Sequence, residues 1–224
     1  MQEQRYNVFN QIHKGLRSML YDTALRLQRT DFTQSDEANA AVEQLEQVLH
    51  FFDEHAENED QFILPHVRKH NAQLIDELEK DHDIDHRLTQ TLLGHIQEWK
   101  VAGLSGQKEA IGQRIFFAFN EFIAFNLYHM NKEENVLMYL LWKHYTDGEI
   151  RQMEGEILKS IPSQTLLTES RWMMRSINNK EVIGWLSGVK QGAPSEVFNN
   201  FLQLAEDELP ADRLAKVRES LALV

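Results

Sequence analysis

Apolar residues recur along most of this chain three and four positions apart, the spacing of one face of a helix. Phe9, Ile12, Leu16, Leu20, Ala24 and Leu27 form one such stripe and predict a first helix over residues 4–30. The segment TDFTQSDEAN interrupts it, and Ser35 or Asp36 can cap a second helix reaching residue 69. That helix carries Leu45, Val48, Leu49, Phe52, Phe62 and Ile63 on its face, and Pro65 should kink it or loosen its last turns. Asn71 starts a third helix, with Ile75, Leu78, Thr89, Leu93 and Ile96 in phase, which GLSG at 103–106 ends. A fourth, with Ile115, Phe119, Phe122, Val136 and Leu140, runs to residue 146 and closes at TDG.

Four long helices with short connections predict an all-α fold, an up-down-up-down four-helix bundle over residues 1–148. Residues 149–224 differ in texture. Pro162, Pro194 and Pro210 each stand where a first helical turn can begin, which predicts a C-terminal extension of short helices. Leu166, Trp172, Trp185, Leu186, Phe198, Phe201 and Leu204 are its packing residues. Burying a large apolar side chain contributes roughly 1.5–3 kcal/mol, so the extension is expected to dock on the bundle or on a partner, a second copy of the chain included.

The stripes are interrupted by polar residues in phase with them. Carried through DEHAENED, the second helix's apolar face lands on His55 and Glu59, four apart and therefore stacked. In EKDHDIDHRL of the third helix, His82 follows Ile75 by seven and His86 precedes Leu93 by seven. In NLYHMNKEENV of the fourth, His129 follows Phe122 by seven and Glu133 precedes Leu140 by seven. His13 shares the face of Phe9 and Leu16 on the first helix. The distances to the helix ends match: His13 to the end of helix one, and the start of helix two to His55, are each ~25–28 Å at the α-helical rise. An antiparallel bundle therefore brings all seven residues into one layer.

Buried imidazoles and carboxylates without a cation would be costly to desolvate, and a set this size points to metal. Five imidazoles and two carboxylates exceed what one ion takes. They suit two ions of borderline hardness with bridging carboxylates, iron or manganese before zinc, which prefers four ligands. Two six-coordinate ions bridged by both carboxylates and an oxo or hydroxo group would leave one position open for a small ligand.

Composition narrows the alternatives. Only 10 Gly and 4 Pro in 224 residues leave little room for a sheet-rich fold. A net charge of −12 repels phosphate backbones and anionic membranes, so neither nucleic acid nor membrane is expected as a partner. The absence of cysteine removes disulfides, thiolate ligands and thiol catalysis. The N-terminal stretch has no apolar core of the signal-peptide type, and the expected location is cytoplasmic.

One His, then HAENE, HDIDH and HMNKE, in that order over residues 5–146, resembles the hemerythrin-like proteins, or HHE cation-binding domain, of the bacterial type. The resemblance implies a non-haem diiron centre. His82, His86 and His129 would hold one iron, His13 and His55 the other, and Glu59 and Glu133 would bridge them. Zinc or manganese could substitute. It further implies reversible binding of dioxygen, or of another small diatomic or peroxide ligand, as carrier or sensor. The invertebrate oxygen carriers end their last motif in an aspartate one residue further on, where this chain has Glu133. Related proteins that repair iron–sulfur centres under nitrosative stress usually carry a cysteine-containing N-terminal module, and this sequence has no cysteine. The competing readings are a diiron stress protein or enzyme acting on peroxide or nitric oxide, and an iron-handling protein with residues 149–224 as partner surface.

Other histidines are expected to be bystanders. His50 and Glu54 repeat the HxxxE spacing, but His50 lies ~140° around the helix from His55. His66, His70 and His144 sit ~10 Å or more along their helices from the nearest ligand, and His95 faces away from His86. The stripe Phe116, Phe117, Phe119, Phe122 and Phe125 reads as core, and Tyr128 as a packing or hydrogen-bonding residue. Asp83 or Asp85 is placed to orient a ligand imidazole.

Overall fold

The computed structural model describes residues 5–222. Among them the secondary structure is helical: α1 Asn10–Arg29, α2 Ser35–Phe62, α3 Leu64–Arg68, α4 Ala72–Val101 and α5 Ser105–Lys132. A π-helical turn, Glu133–Leu137, joins α5 to α6 Met138–His144. Beyond lie α7 Asp147–Ser160, α8 Ser163–Ser176, α9 Asn179–Gly192, α10 Ser195–Glu208 and α11 Ala211–Ser220. No helix among the described residues is long and apolar enough to cross a membrane.

Contacts divide the chain into two compact units. One comprises Met1–Asn10 and Met19–Ser160, the other Gln11–Ser18 and Ile161–Val224. Gly148 lies inside α7, within the first of these units. Thr146 and Glu149 cap that helix. The Glu149 carboxylate accepts from the Thr146 N–H at 2.8 Å, and the Glu149 N–H donates to Thr146 Oγ1 at 3.3 Å. This capping box makes TDG the start of α7. Ile150 and Met153 of α7 then bury in a cluster with Phe9, Val67, Leu78 and Leu141.

In the first unit the long helices run antiparallel, as side-chain ties between their ends show. Gln44, early in α2, donates to Asp22 and Thr23 near the end of α1 at 2.8 Å each. Lys100, at the end of α4, reaches Glu46 at 2.6 Å, and Glu98 pairs with Arg114 early in α5. Asn71 caps α4 by accepting from the Leu74 N–H at 3.1 Å. Pro65 stands in the first turn of α3 and the helix breaks before it, at Ile63. Residues 5–9 precede α1 and are not helical. Arg5 donates to Asp147 at 2.9 Å and to the Tyr145 carbonyl at 2.7 Å, the Tyr6 N–H donates to Asp147 at 3.0 Å, and Trp142 Nε1 donates to the Tyr6 carbonyl at 2.6 Å.

Two stripes differ in register from the sequence expectation. On α4 the buried position is Leu92, and Leu93 is only half-buried. After the π turn the buried residues are Leu137, Met138 and Leu141, while Val136 is exposed and Leu140 half-buried. A π turn adds a residue to the helix, rotating everything beyond it by roughly 100°. Positions 136 and 140 give way to 137 and 141.

The second unit has its own core. Met174, Ile177, Val182, Leu186, Phe198, Leu204, Ala205 and Val217 bury together, with Trp185 and Phe201 against them in an edge-to-face pair 5.2 Å apart. Pro162, Pro194 and Pro210 occupy the N-caps of α8, α10 and α11, one position before the helical turns they introduce. Asn178 and Glu181 form a capping box on α9, and Glu181 also pairs with Lys14 at 2.5 Å.

At the far end of the bundle, Phe32 packs edge-on against Trp99, whose Nε1 donates to the Phe32 carbonyl at 3.2 Å. The Phe32 ring lies directly on Gly112 of α5, where an added Cβ would fall inside it. Gly112→Ala is therefore expected to lower stability by about 1–3 kcal/mol, as for overpacked cores. Urea unfolding of this variant beside the open-sided Gly94→Ala, which has no atom within 4 Å of an added Cβ, checks it. Equal effects would show that the Phe32 contact sets nothing.

Candidate metal centre

Four elements of the bundle each carry a polar residue into its interior. His55 and Glu59 stand on adjacent turns of α2, His82 on α4, His129 on the last turn of α5, and Glu133 opens the π turn. His82, His129, Glu59 and Glu133 are buried and His55 is nearly so. His13, on α1, is fully buried.

The donor atoms form two overlapping groups. In one, donors from His13, His55, Glu59 and Glu133 lie within 4.8 Å of one another; in the other, donors from Glu59, His82, His129 and Glu133 do so. The two carboxylates belong to both. Glu59 divides its oxygens between them: Oε1 is 3.1 Å from His55 Nε2, and Oε2 is 3.5 Å from His82 Nε2. Glu133 Oε1 lies 3.0 Å from His129 Nε2 and 3.9 Å from His82 Nε2.

The ring orientations suit a cation. His82 Nδ1 lies 2.8 Å from Asp60 Oδ1, and His129 Nδ1 lies 3.5 Å from Asp81 Oδ2. With Nδ1–H directed at a carboxylate, each ring presents Nε2 inward, and the two Nε2 atoms come within 3.0 Å of each other. Two lone pairs facing at that distance require a proton or a metal ion between them. Burial pulls both imidazole pKa values down, but the anions around them prevail. Asp60, Glu133 and Glu59 push His82 up to about 12, and Glu133 and Asp81 push His129 up to about 10. The donor set, imidazole nitrogens with shared carboxylates, fits borderline divalent ions such as iron or manganese.

His86 does not join either group. Its side chain is 62% exposed and its Nδ1 lies 3.5 Å from Asp53 Oδ1 at the protein surface. The expectation that it faces inward rested on Leu93; the core stripe passes instead through Leu92, and seven residues before Leu92 stands the buried Asp85. Asp85 accepts from Asn126 Nδ2 at 2.5 Å, and Asp83 is exposed. The carboxylates at the imidazole Nδ1 atoms are Asp60 and Asp81, which the sequence reading missed. Each is adjacent in sequence to a motif residue, but partial exposure makes both indistinguishable from surface acids in the sequence.

The other histidines lie outside the two groups. His50 is exposed, 3.5 Å from Glu54. His95 Nδ1 lies 3.9 Å from Glu98. His70 and His144 stack with ring centroids 3.7 Å apart at the bundle end, where Tyr145 donates to the His66 carbonyl. Phe119 and Phe122 are core, Phe117 is exposed, and Phe125 lies parallel to the His129 ring at 6.1 Å. Tyr128 is 73% exposed, so it is not the packing residue its position suggested.

No curated protein and no solved structure matches the chain significantly. The hemerythrin HHE cation-binding domain matches residues 4–156, which span the six grouped donors and more than half of the chain. The protein is a cation-binding protein of the hemerythrin HHE family.

Proposed function

We propose that the two donor groups hold a pair of non-haem iron ions and that the pair binds dioxygen, or a related small ligand, reversibly, as carrier or sensor. The observation that carries this reading is Glu59, whose two oxygens each face an imidazole of a different group. A carboxylate so placed can bridge two ions. His13 and His55 would serve one ion, His82 and His129 the other, with Glu59 and Glu133 common to both. When bound, the iron pair supplies redox chemistry toward small oxidants and diatomic ligands. Manganese or zinc would use the same donors.

The protein's own part is to fix the imidazoles, limit their number and keep the layer dry. With His86 outside, each ion would have two imidazoles and two shared carboxylates. Six-coordinate ions would then have more room for an exogenous ligand than seven protein donors would leave. Phe52 of α2 and Phe122 of α5 meet edge-to-face at 5.2 Å, and the Phe125 ring lies parallel to that of His129 at 6.1 Å. A histidine-rich set favours ligand binding over oxygen activation, since activating diiron bundles use more carboxylates and a Glu-x-x-His spacing that these motifs lack.

Stoichiometry is the first check. Protein loaded anaerobically with ferrous iron is expected to hold two ions per chain by elemental analysis. His55→Ala and Glu133→Ala should lower that number sharply, while His50→Ala and His86→Ala should leave it at two. Loss of iron in His86→Ala would return that residue to the ligand set, and one tightly held zinc would overturn the diiron reading.

Protons compete with the metal for the same nitrogens. Because His82 and His129 have raised pKa values when metal-free, their protons stabilise the metal-free fold. That contribution is complete below the ordinary histidine range and is lost as pH rises through about 10 to 12. Binding metal must expel those protons at neutral pH. Chelator competition at pH 6, 7 and 8 should show affinity rising with pH, by up to about tenfold per unit for each proton displaced. A flat profile would mean that the imidazoles are not ligands.

Reversibility is the third check. Ferrous protein exposed to dioxygen should change its visible absorption and recover under argon through repeated cycles. One-way oxidation on the first exposure would favour the stress-protein or enzyme reading.

A further inference from the structure

The two imidazoles of the His82–His129 group are held differently from behind. Asp60, in the last turn of α2, meets His82 Nδ1 at 2.8 Å, within the range of a charge-assisted hydrogen bond. Asp81 meets His129 Nδ1 at 3.5 Å, the outer limit of one. The reason is Lys132, one turn beyond His129 on α5. Its ammonium donates at 2.9 Å to Asp81 Oδ2, the same atom that faces His129, and lies 3.7 Å from Glu77. One carboxylate oxygen is shared between a cation and an imidazole, and the cation is nearer.

An imidazole that ligates through Nε2 becomes a better donor as the acceptor on its Nδ1–H gains negative charge, and such partners also fix its tautomer and orientation. Resting on the diiron reading above, we propose that Asp60 and Asp81 are positioning residues for His82 and His129, and that Lys132 is an attenuator that withholds part of the Asp81 charge from His129. The site then has a strong imidazole donor and a weakened one on the same ion, with the difference set outside the ligand layer. His129 is the donor more easily displaced when an exogenous ligand enters. Lys132 and Asp81 are both within reach of solvent, being about one-fifth exposed.

Opposite signs separate this from an ordinary ion pair. If Asp60, Asp81 and Lys132 only tied helices together, Asp60→Asn and Lys132→Met would both loosen the site. Under the proposal, Asp60→Asn weakens iron binding about 10–100-fold and raises the midpoint potential of the iron pair. Lys132→Met instead tightens binding severalfold and lowers the potential, and Lys132→Arg returns both toward wild type. The second readout is proton NMR of the Nδ1–H resonances in the full-length protein. Lys132→Met should shift the His129 resonance downfield and leave that of His82 in place, and Asp60→Asn should shift only His82 upfield. Same-sign effects on affinity, or unmoved imidazole resonances, would overturn the proposal. A wild-type protein that takes up no divalent metal would overturn the diiron reading instead, while the imidazole resonances would still decide this one.

Discussion

Two carboxylates and several imidazoles share one buried layer, and their desolvation is the constraint to which the first unit answers. An ion pair or hydrogen-bonded network in the interior is favourable only when every member has its partners in good geometry. Here the partners come from different helices, so each helix must arrive at the right depth and rotation. The cap at Asn71 sets where α4 begins, and the break at Ile63 ends α2 one turn after Glu59. At the other end, the contact of Phe32 with Gly112 brings the α1–α2 connection close against α5. Apolar packing supplies the stability; the polar layer dictates which packing is allowed.

Much of this was readable from spacing. His55 with Glu59, and His129 with Glu133, sit four apart on stripes that are otherwise apolar, and helical geometry alone puts each pair on one face. The fold class followed from the same periodicity, because long stripes separated by few breakers leave a helix bundle as the simple solution. Pro65 was legible as a break for a local reason, its missing N–H and fixed φ.

The remaining differences turn on single residues. Counting from Leu93 turns His86 inward, but Leu92 and Leu93 are equally apolar, and only packing decides which is buried. A one-residue change of phase exchanges His86 for Asp85. Val136 and Leu140 were displaced by a π turn that no propensity announces. Asp60 and Asp81 gave no signal, because a carboxylate behind an imidazole and one in water are the same letter. TDGE reads as a breaker when the glycine is weighed first and as a capping box when Thr146 and Glu149 are.

The π turn bears on which face the α5–α6 rod turns inward along its length. Its hydrogen bonds span an extra residue compared with those of the α-helix on either side. Glu133 stands at its first residue, and His129 belongs to the α-helix before it. Without the extra residue, a rod that buries Asn126, His129 and Glu133 would carry Val136 and Leu140 inward, and with it Leu137 and Leu141 are buried instead. The turn thus works as a phase shifter, so that one continuous rod gives the polar layer its donors and then, a turn later, gives the core its leucines.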